Sequence, residues 1–452
     1  MGRIYFERVQ DSAQEFVSVA LNMQSATTHS TITHGLWEAS APPGPPTPPL
    51  ATHTAADAVV VGAGFTGCSA ALHLALGGWR VAVLEAKHIG YGASGRNVGL
   101  VNAGLWVMPD ELPKLLGMER GERLLRQLGD APRLVFDLIE RHSLACEARR
   151  SGTIHCAVGK SGVAEINTRA QQWQKRRADV EVLNESETAR RVGTTAYSAS
   201  LLDRRAGTIQ PLAYVRGLAH AAIAAGAAFH SQSPVTARED LGTSWKLHTS
   251  NGSVSAPWVI VATDVYSTNA FRPLAQGQVM LPYFNLATAP LPAGLRDSIL
   301  PERQGAWDTK QILSSFRFDD AGRLIFGSVG ALRGTGTPIH RAWGRRELRR
   351  LFPQLESINF EHEWCGMIGM TDDALPRLHR HDRNIYSISG YNGRGIAPGT
   401  TFGRDLARLA MGAIAIDDLS LPLSTMTAAR LRTVKTAFYE VGAQIAHFLG
   451  SR

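Results

Sequence analysis

The chain has 452 residues, 44% of them hydrophobic and 19% charged, an ordinary balance for a globular protein. That length suggests two or three structural units and enough core to enclose a ligand. The formal net charge is +8, but the basic residues are dispersed; the densest groups are 175–177 and the doublets within 345–350, of which the second reads as a wet helix face, and no long basic stripe suggests a nucleic-acid footprint. Cys68, Cys146, Cys156 and Cys365 show neither metal-ligand spacing nor a disulfide framework, so a reducing, cytoplasmic setting is expected. No apolar stretch reaches the length of a membrane span, and acidic Glu7, Asp11 and Glu15 exclude a secretory signal.

Residues 1–49 read as an N-terminal arm. Its first part, 4–22, has a helix-like apolar pattern, and the prolines between Pro42 and Pro49 favour an extended course. From Asp57 the pattern changes. Ala58-Val59-Val60-Val61 is a short apolar run suited to a parallel strand buried on both faces. Gly62-Ala63-Gly64-Phe65-Thr66-Gly67 follows, then a helical stretch, the turn Gly77-Gly78 and a second strand, Val81 to Leu84, that ends at Glu85 and Ala86. Glycines at a helix N-terminus let a pyrophosphate approach backbone N–H groups, and an acidic residue closing the second strand accepts from ribose hydroxyls. This unit reads as dinucleotide-binding, without separating a flavin from a nicotinamide cofactor.

The next motif, Gly90-Tyr91-Gly92-Ala93-Ser94-Gly95-Arg96-Asn97-Val98-Gly99-Leu100, resembles the second flavin contact of the D-amino-acid oxidase (DAO) superfamily. Within it, the match is to the branch containing γ-glutamylputrescine oxidase and bacterial L-pipecolate oxidase. The resemblance implies Ser94 and Arg96 near phosphate and Asn97 to Leu100 near the flavin ring, with Val98 standing where the branch usually has glycine. It continues through Gly207-Thr208-Ile209-Gln210-Pro211, the segment up to Val235 that is expected at adenine, and Ala262-Thr263, after which Asp264 replaces a glycine. Near the end, Ser389-Gly390-Tyr391-Asn392-Gly393-Arg394-Gly395-Ile396 matches the loop expected around the pyrimidine end of the ring. FAD is therefore the expected cofactor, and the expected fold is α/β plus α+β. A Rossmann-like FAD-binding domain would be assembled from 50–135, 205–265 and 366–452. A mostly antiparallel β-sheet substrate domain would be assembled from 136–204 and 266–365. Strands are expected at Val279 to Ala287, Gln311 to Phe318 and Arg323 to Gly327, with a hairpin at Asp319-Asp320-Ala321-Gly322.

The same resemblance implies oxidation of a C–N bond in an amine or amino acid, with O2 or another acceptor reoxidising the flavin. Among residues that hold substrate, Arg317 suits a carboxylate, unless it pairs with Asp319 or Asp320. Tyr283 and Trp364 are candidates for facing the ring, with a core role as the alternative for each. Cys365 falls where a cousin carries a covalent flavin linkage, and a buried unreactive thiol is the alternative. His379 and His381 read as an exposed polar turn rather than metal ligands, and no metal is expected. Residues from Arg430 to Leu449 read as an amphipathic helix closing the flavin domain.

Overall fold

A computed structural model describes residues 34–450, so the expectation for 4–22 lies outside the described residues. Leu36–Ser40 is a short helix, and the proline-rich segment after it runs in extended form, held by Arg216 Nη1 on the Pro42 carbonyl and by Thr47 on Ser231.

One sheet has six strands, in the order Arg377–Asp382, Ile385–Ser389, Trp258–Val261, Ala58–Val61, Val81–Leu84 and Ala228–His230. All neighbours are parallel except the first pair. Alternation explains the apolar run at its centre. Ala58 and Val60 enter the core beneath helices Phe65–Leu76, Pro211–Ala224 and Ile396–Ala410, while Val59 and Val61 enter a second core under a four-stranded sheet. A Cβ on Gly67 would lie 1.9 Å from the Gly62 carbonyl oxygen, so the first helix can sit this close to its strand only with glycine there.

The other large sheet has eight strands: Phe360–Met370, Val279–Pro290, Arg323–Val329, Ser314–Phe318, Gly305–Asp308, Thr153–Cys156, Ser200–Asp203 and Val180–Leu183. Only Gly305–Asp308 and Thr153–Cys156 run parallel. The hairpin expected at 319–322 is present, with Phe318 opposite Leu324. One face of this sheet carries Phe284, Phe316 and Phe326 into its own core against helix Gly336–Leu351. The opposite face turns toward the six-stranded sheet and roofs the cavity described below.

Two expectations need correction. Helix Arg432–Leu449 does not close the six-stranded unit; it packs on strand Val279–Pro290 and helix Gly336–Leu351. His379 and His381 lie in strand Arg377–Asp382, not in an exposed turn. His379 is buried with Nδ1 2.9 Å from the Ser424 carbonyl, and His381 Nε2 lies 2.8 Å from Ser387 Oγ. The charged neighbours disguise an edge strand whose alternate residues turn inward. Among the described residues no cluster suited to a metal ion is found, and no helix is long and apolar enough to cross a membrane.

Candidate functional site

Between the two sheets lies one long cavity of about 850 Å³, at the upper end of the usual range of roughly 300–1,000 Å³ for ligand sites. Its first third is the turn 62–66 with Glu85 and Ala86. The Glu85 carboxylate accepts the Ala63 N–H at 2.8 Å and the Lys87 N–H at 2.7 Å, which locks the end of its strand to the glycine-rich turn. Burial pushes its carboxyl above the usual range and those N–H groups pull it back. Helix Phe65–Leu76 begins on the cavity wall, where the first-turn N–H groups have no intrahelical acceptor. Ser94 Oγ takes the N–H of Phe65 at 3.0 Å, and a Cβ on Gly64 would lie 2.9 Å from that oxygen. A backbone cradle without side chains, an open helix N-terminus and a carboxylate beside it fit the pyrophosphate and ribose of the expected dinucleotide. Val235, Ala262 and Thr263 continue the wall.

The loop from Ala93 to Leu100 crosses the middle of the cavity and is pinned from behind. The Arg96 carbonyl accepts from Trp364 Nε1 at 2.9 Å and Asn285 Nδ2 at 3.1 Å, and the Asn97 carbonyl accepts from Trp37 Nε1 at 2.8 Å. Asn97 folds its own side chain back, accepting from the Gly99 N–H at 2.9 Å. Ser94, Arg96, Asn97, Val98 and Leu100 line the cavity. Gly95 and Gly99 do not; Cβ atoms there would lie 2.3 Å from the Gly90 and 2.1 Å from the Ile209 carbonyl oxygens, so both serve close backbone packing. On the far wall, Asn392, Gly393, Arg394, Gly395 and Ile396 face the cavity. Gly390 sits behind them at φ 77°, and its N–H donates to Asp264 Oδ1 at 2.9 Å. Asp264, itself at φ 45°, thus ties the two loops that flank the cavity, a contact a glycine there could not make.

The roof comes from alternate residues of the eight-stranded sheet. Tyr283 and Ser315 share a hydrogen bond between their hydroxyls, and Leu281, Val329 and Trp307 complete the apolar surface. Burial holds the Tyr283 phenol far above its usual range, so it is a neutral donor. Trp307 stacks on His155 at 4.9 Å, because register places them opposite each other on parallel strands. Burial also keeps His155 neutral, well below its ordinary value. Neither Trp307, His155 nor Trp106 is marked by any local motif. The turn 309–313 closes one end, tied to Asp308 Oδ1 through the N–H groups of Lys310 at 3.1 Å and Ser314 at 3.2 Å.

Among the described residues, Arg394 supplies one of the cavity's two buried guanidinium groups, the other being Arg96. Arg394 is 8% exposed, with its guanidinium 4.4 Å from the Trp106 ring and 5.4 Å from the Trp307 ring. Nη1 donates to the Ala103 carbonyl at 3.0 Å, and no described carboxylate pairs with it; Glu165 and Asp203 act only from a distance.

Three residues expected at the substrate or flavin lie elsewhere. Arg317 is 1% exposed but lies outside the cavity, under Gly99, with its guanidinium 5.3 Å from the Trp37 ring and 3.8 Å from Glu147. It pairs with neither Asp319, which holds Arg323 at 3.2 Å, nor Asp320, which holds Arg149 at 2.8 Å. Trp364 is core, packed on Trp37 at 5.3 Å and on Gly35. Cys365, the neighbour of Trp364 in an extended strand, points to the opposite face and packs half-buried against the outer core.

The profile of the DAO family, described as FAD dependent oxidoreductase, matches residues 57–409. The γ-glutamylputrescine oxidoreductase of Escherichia coli is 31% identical over 392 residues, covering 86% of this chain and 91% of that protein. A probable oxidoreductase, OrdL, of Haemophilus influenzae is 29% identical over 412 residues, covering 89% and 94%. Among solved structures, glycine oxidase from Geobacillus kaustophilus superposes with a TM-score of 0.66 at 20% identity, over 83% of this chain and 99% of that one.

Proposed function

The chain belongs to the DAO family of FAD dependent oxidoreductases, and we propose that it oxidises the C–N bond of an amine that also bears a carboxylate. The observation that carries the substrate class is Arg394. A buried guanidinium without a carboxylate partner is costly, and a substrate carboxylate that pairs with it inside the cavity recovers that cost. The Escherichia coli relative supports the reading, since it is named for γ-glutamylputrescine. Cyclic imino acids and γ-glutamylated amines are the first trial substrates.

In this reading the turn 62–66 and Glu85 hold the adenosine and pyrophosphate half of FAD, and the loops 94–100 and 392–396 flank its ring. When bound, FAD supplies the two-electron acceptor for the substrate's C–N bond. Arg394 fixes the carboxylate, and the two indoles stacked on it hold its plane and exclude water. Leu281, Val329 and Trp307 keep the reacting carbon dry, and the Tyr283–Ser315 hydroxyl pair offers an orienting hydrogen bond. Burial disfavours both the Tyr283 phenolate and the His155 imidazolium, so neither group is a strong base toward an ammonium, and the amine reacts as the free base.

The test is anaerobic mixing with a panel of amines while flavin absorbance is followed, in the wild type and in Arg394→Ala. Bleaching by carboxylated amines is expected. In the variant KM should rise about 10- to 100-fold with flavin content intact, the range for a lost charged hydrogen bond. Bleaching by uncharged amines or hydroxy acids alone, or an unchanged KM, would sink the proposal.

A further inference from the structure

Arg394 does not stand on its own loop alone. Its Nη1 rests on the Ala103 carbonyl at 3.0 Å, and its guanidinium lies 4.4 Å from the Trp106 ring. Both contacts come from the stretch 102–110, which runs between strand Leu100–Val101 and helix Glu111–Leu116 and belongs to no helix or strand. Irregular backbone keeps one course only where other groups take up its polar atoms. The position of Arg394 thus depends on what holds this stretch.

Helix Gly159–Gln174 holds it with two consecutive turns. On the first, Arg169 is 7% exposed; its Nη2 donates to the Trp106 carbonyl at 2.9 Å, and its Nη1 donates to the Leu105 carbonyl at 3.4 Å. On the next, Trp173 packs on Gly104 so closely that a Cβ there would lie 2.6 Å from its ring. The helix is itself anchored, with Ile166 and Ala170 in the core. From the other side, Trp106 Nε1 donates to the Asn392 carbonyl at 2.7 Å, two residues before Arg394. Residues 103–106 are therefore clamped between Arg169 and the loop that carries Arg394.

The charge arrangement shows that the clamp is not a simple ion pair. Glu165, one turn earlier, meets Arg169 Nη2 at 3.3 Å and offsets its charge. Burial lowers the pKa of both arginines, and Arg169 lowers that of Arg394 further, so a second guanidinium near Arg394 is unfavourable in itself. What the guanidinium adds is its fork, which reaches two successive carbonyls and the carboxylate at once; a lysine ammonium has no such geometry. Arg169 does not face the main cavity, so any effect on substrate must pass through another residue. We infer that Arg169 is a positioning residue for substrate binding: by fixing 103–106 it holds the guanidinium of Arg394 where a carboxylate meets it. The inference rests on the reading of Arg394 given above.

The flavin-loaded full chain is assayed as a double-mutant cycle, using the carboxylated amine of the panel that bleaches the flavin fastest. Arg169→Met should raise KM about 10-fold, with kcat within about threefold and flavin content unchanged. In the Arg394→Ala background the same substitution should change KM by less than about twofold, because the group it positions is gone. Arg169→Lys keeps the charge but not the fork, so its KM should stay nearer that of Arg169→Met than that of the wild type. Equal fold-changes in both backgrounds, a loss of kcat without a change in KM, or full recovery in Arg169→Lys would overturn the inference. If Arg169→Met fails to hold flavin, the lysine variant carries the same cycle. An unchanged KM in Arg394→Ala alone would overturn the substrate reading and this inference with it. A raised KM there, with an independent effect of Arg169, would overturn this inference only.

Discussion

Acid should loosen helix 432–449 before it disturbs the rest of the chain. His340 and His447 are 0% and 2% exposed, with their Nδ1 atoms 2.8 Å apart and His447 Nε2 3.3 Å from Ser328 Oγ. Trp343 stacks on His447 at 3.9 Å, and Phe284 stacks on His340 at 4.9 Å. Burial pushes His340 down to about 4; burial, and then the neighbouring His340, push His447 down to about 3. The charged groups around them offer no counter-ion. Glu440 is committed to Arg333, Glu347 to Lys310 and Arg350, and Arg346 is itself a cation. Docked, both rings are neutral; released, each titrates near 6.5. Because the docked pKa values are depressed, this stability is full above pH 6.5 and declines as pH falls toward about 4 and about 3. At about 1.4 kcal/mol per unit, the protonation of one released ring costs roughly 3 kcal/mol of docking stability by pH 4.5, and the second ring adds to it, so that figure is the lower bound for the pair. Hydrogen exchange, corrected for intrinsic rates, should show protection in 432–449 falling at least about 100-fold from pH 7.5 to 4.5, with helix 396–410 unchanged. His447→Leu should flatten most of that dependence. Equal losses in both helices, or full protection at pH 4.5, would refute the reasoning.

Gly67→Ala should cost about 1–3 kcal/mol of stability, because its Cβ meets backbone, whereas Gly64→Ala meets only the movable Ser94 hydroxyl. Thermal melts of the flavin-free proteins should separate the two, and flavin titration should show weakened binding for Gly64→Val, whose side chain enters the cradle. Arg317→Ala should lower the melting temperature and shift the flavin absorbance, since it frees the floor beneath Gly99, yet leave KM for carboxylated amines within about twofold. A large KM effect with an unshifted spectrum would return Arg317 to the substrate.

The two arginines show where sequence reasoning stops. The glycine-rich turn was legible because its chemistry is local: strand, turn, helix and Glu85 lie within about 30 residues, and the spacing itself states the backbone requirement. The strands around Tyr283 and the hairpin after Phe318 were legible for the same reason. Arg317 sits in a strand of the right kind and even points to the inner face of its sheet, as Ser315 does. Ser315 reaches the cavity and Arg317 does not, because one pleat repeat farther along, the loop 97–99 and Trp37 already occupy the space. That fact depends on where the Leu36–Ser40 helix docks, a contact across more than 250 positions of chain that no local pattern encodes. In the sequence Arg394 reads as a cofactor-binding position in a glycine-rich loop, not as a substrate cation. Its side chain is held at the cavity by Trp106 and Trp307, which arrive from two other segments to lie 4.4 Å and 5.4 Å from it. Glycine motifs thus locate the cofactor cleft, whereas the substrate end is built from single side chains on separate strands, and sheet register decides which of them meet.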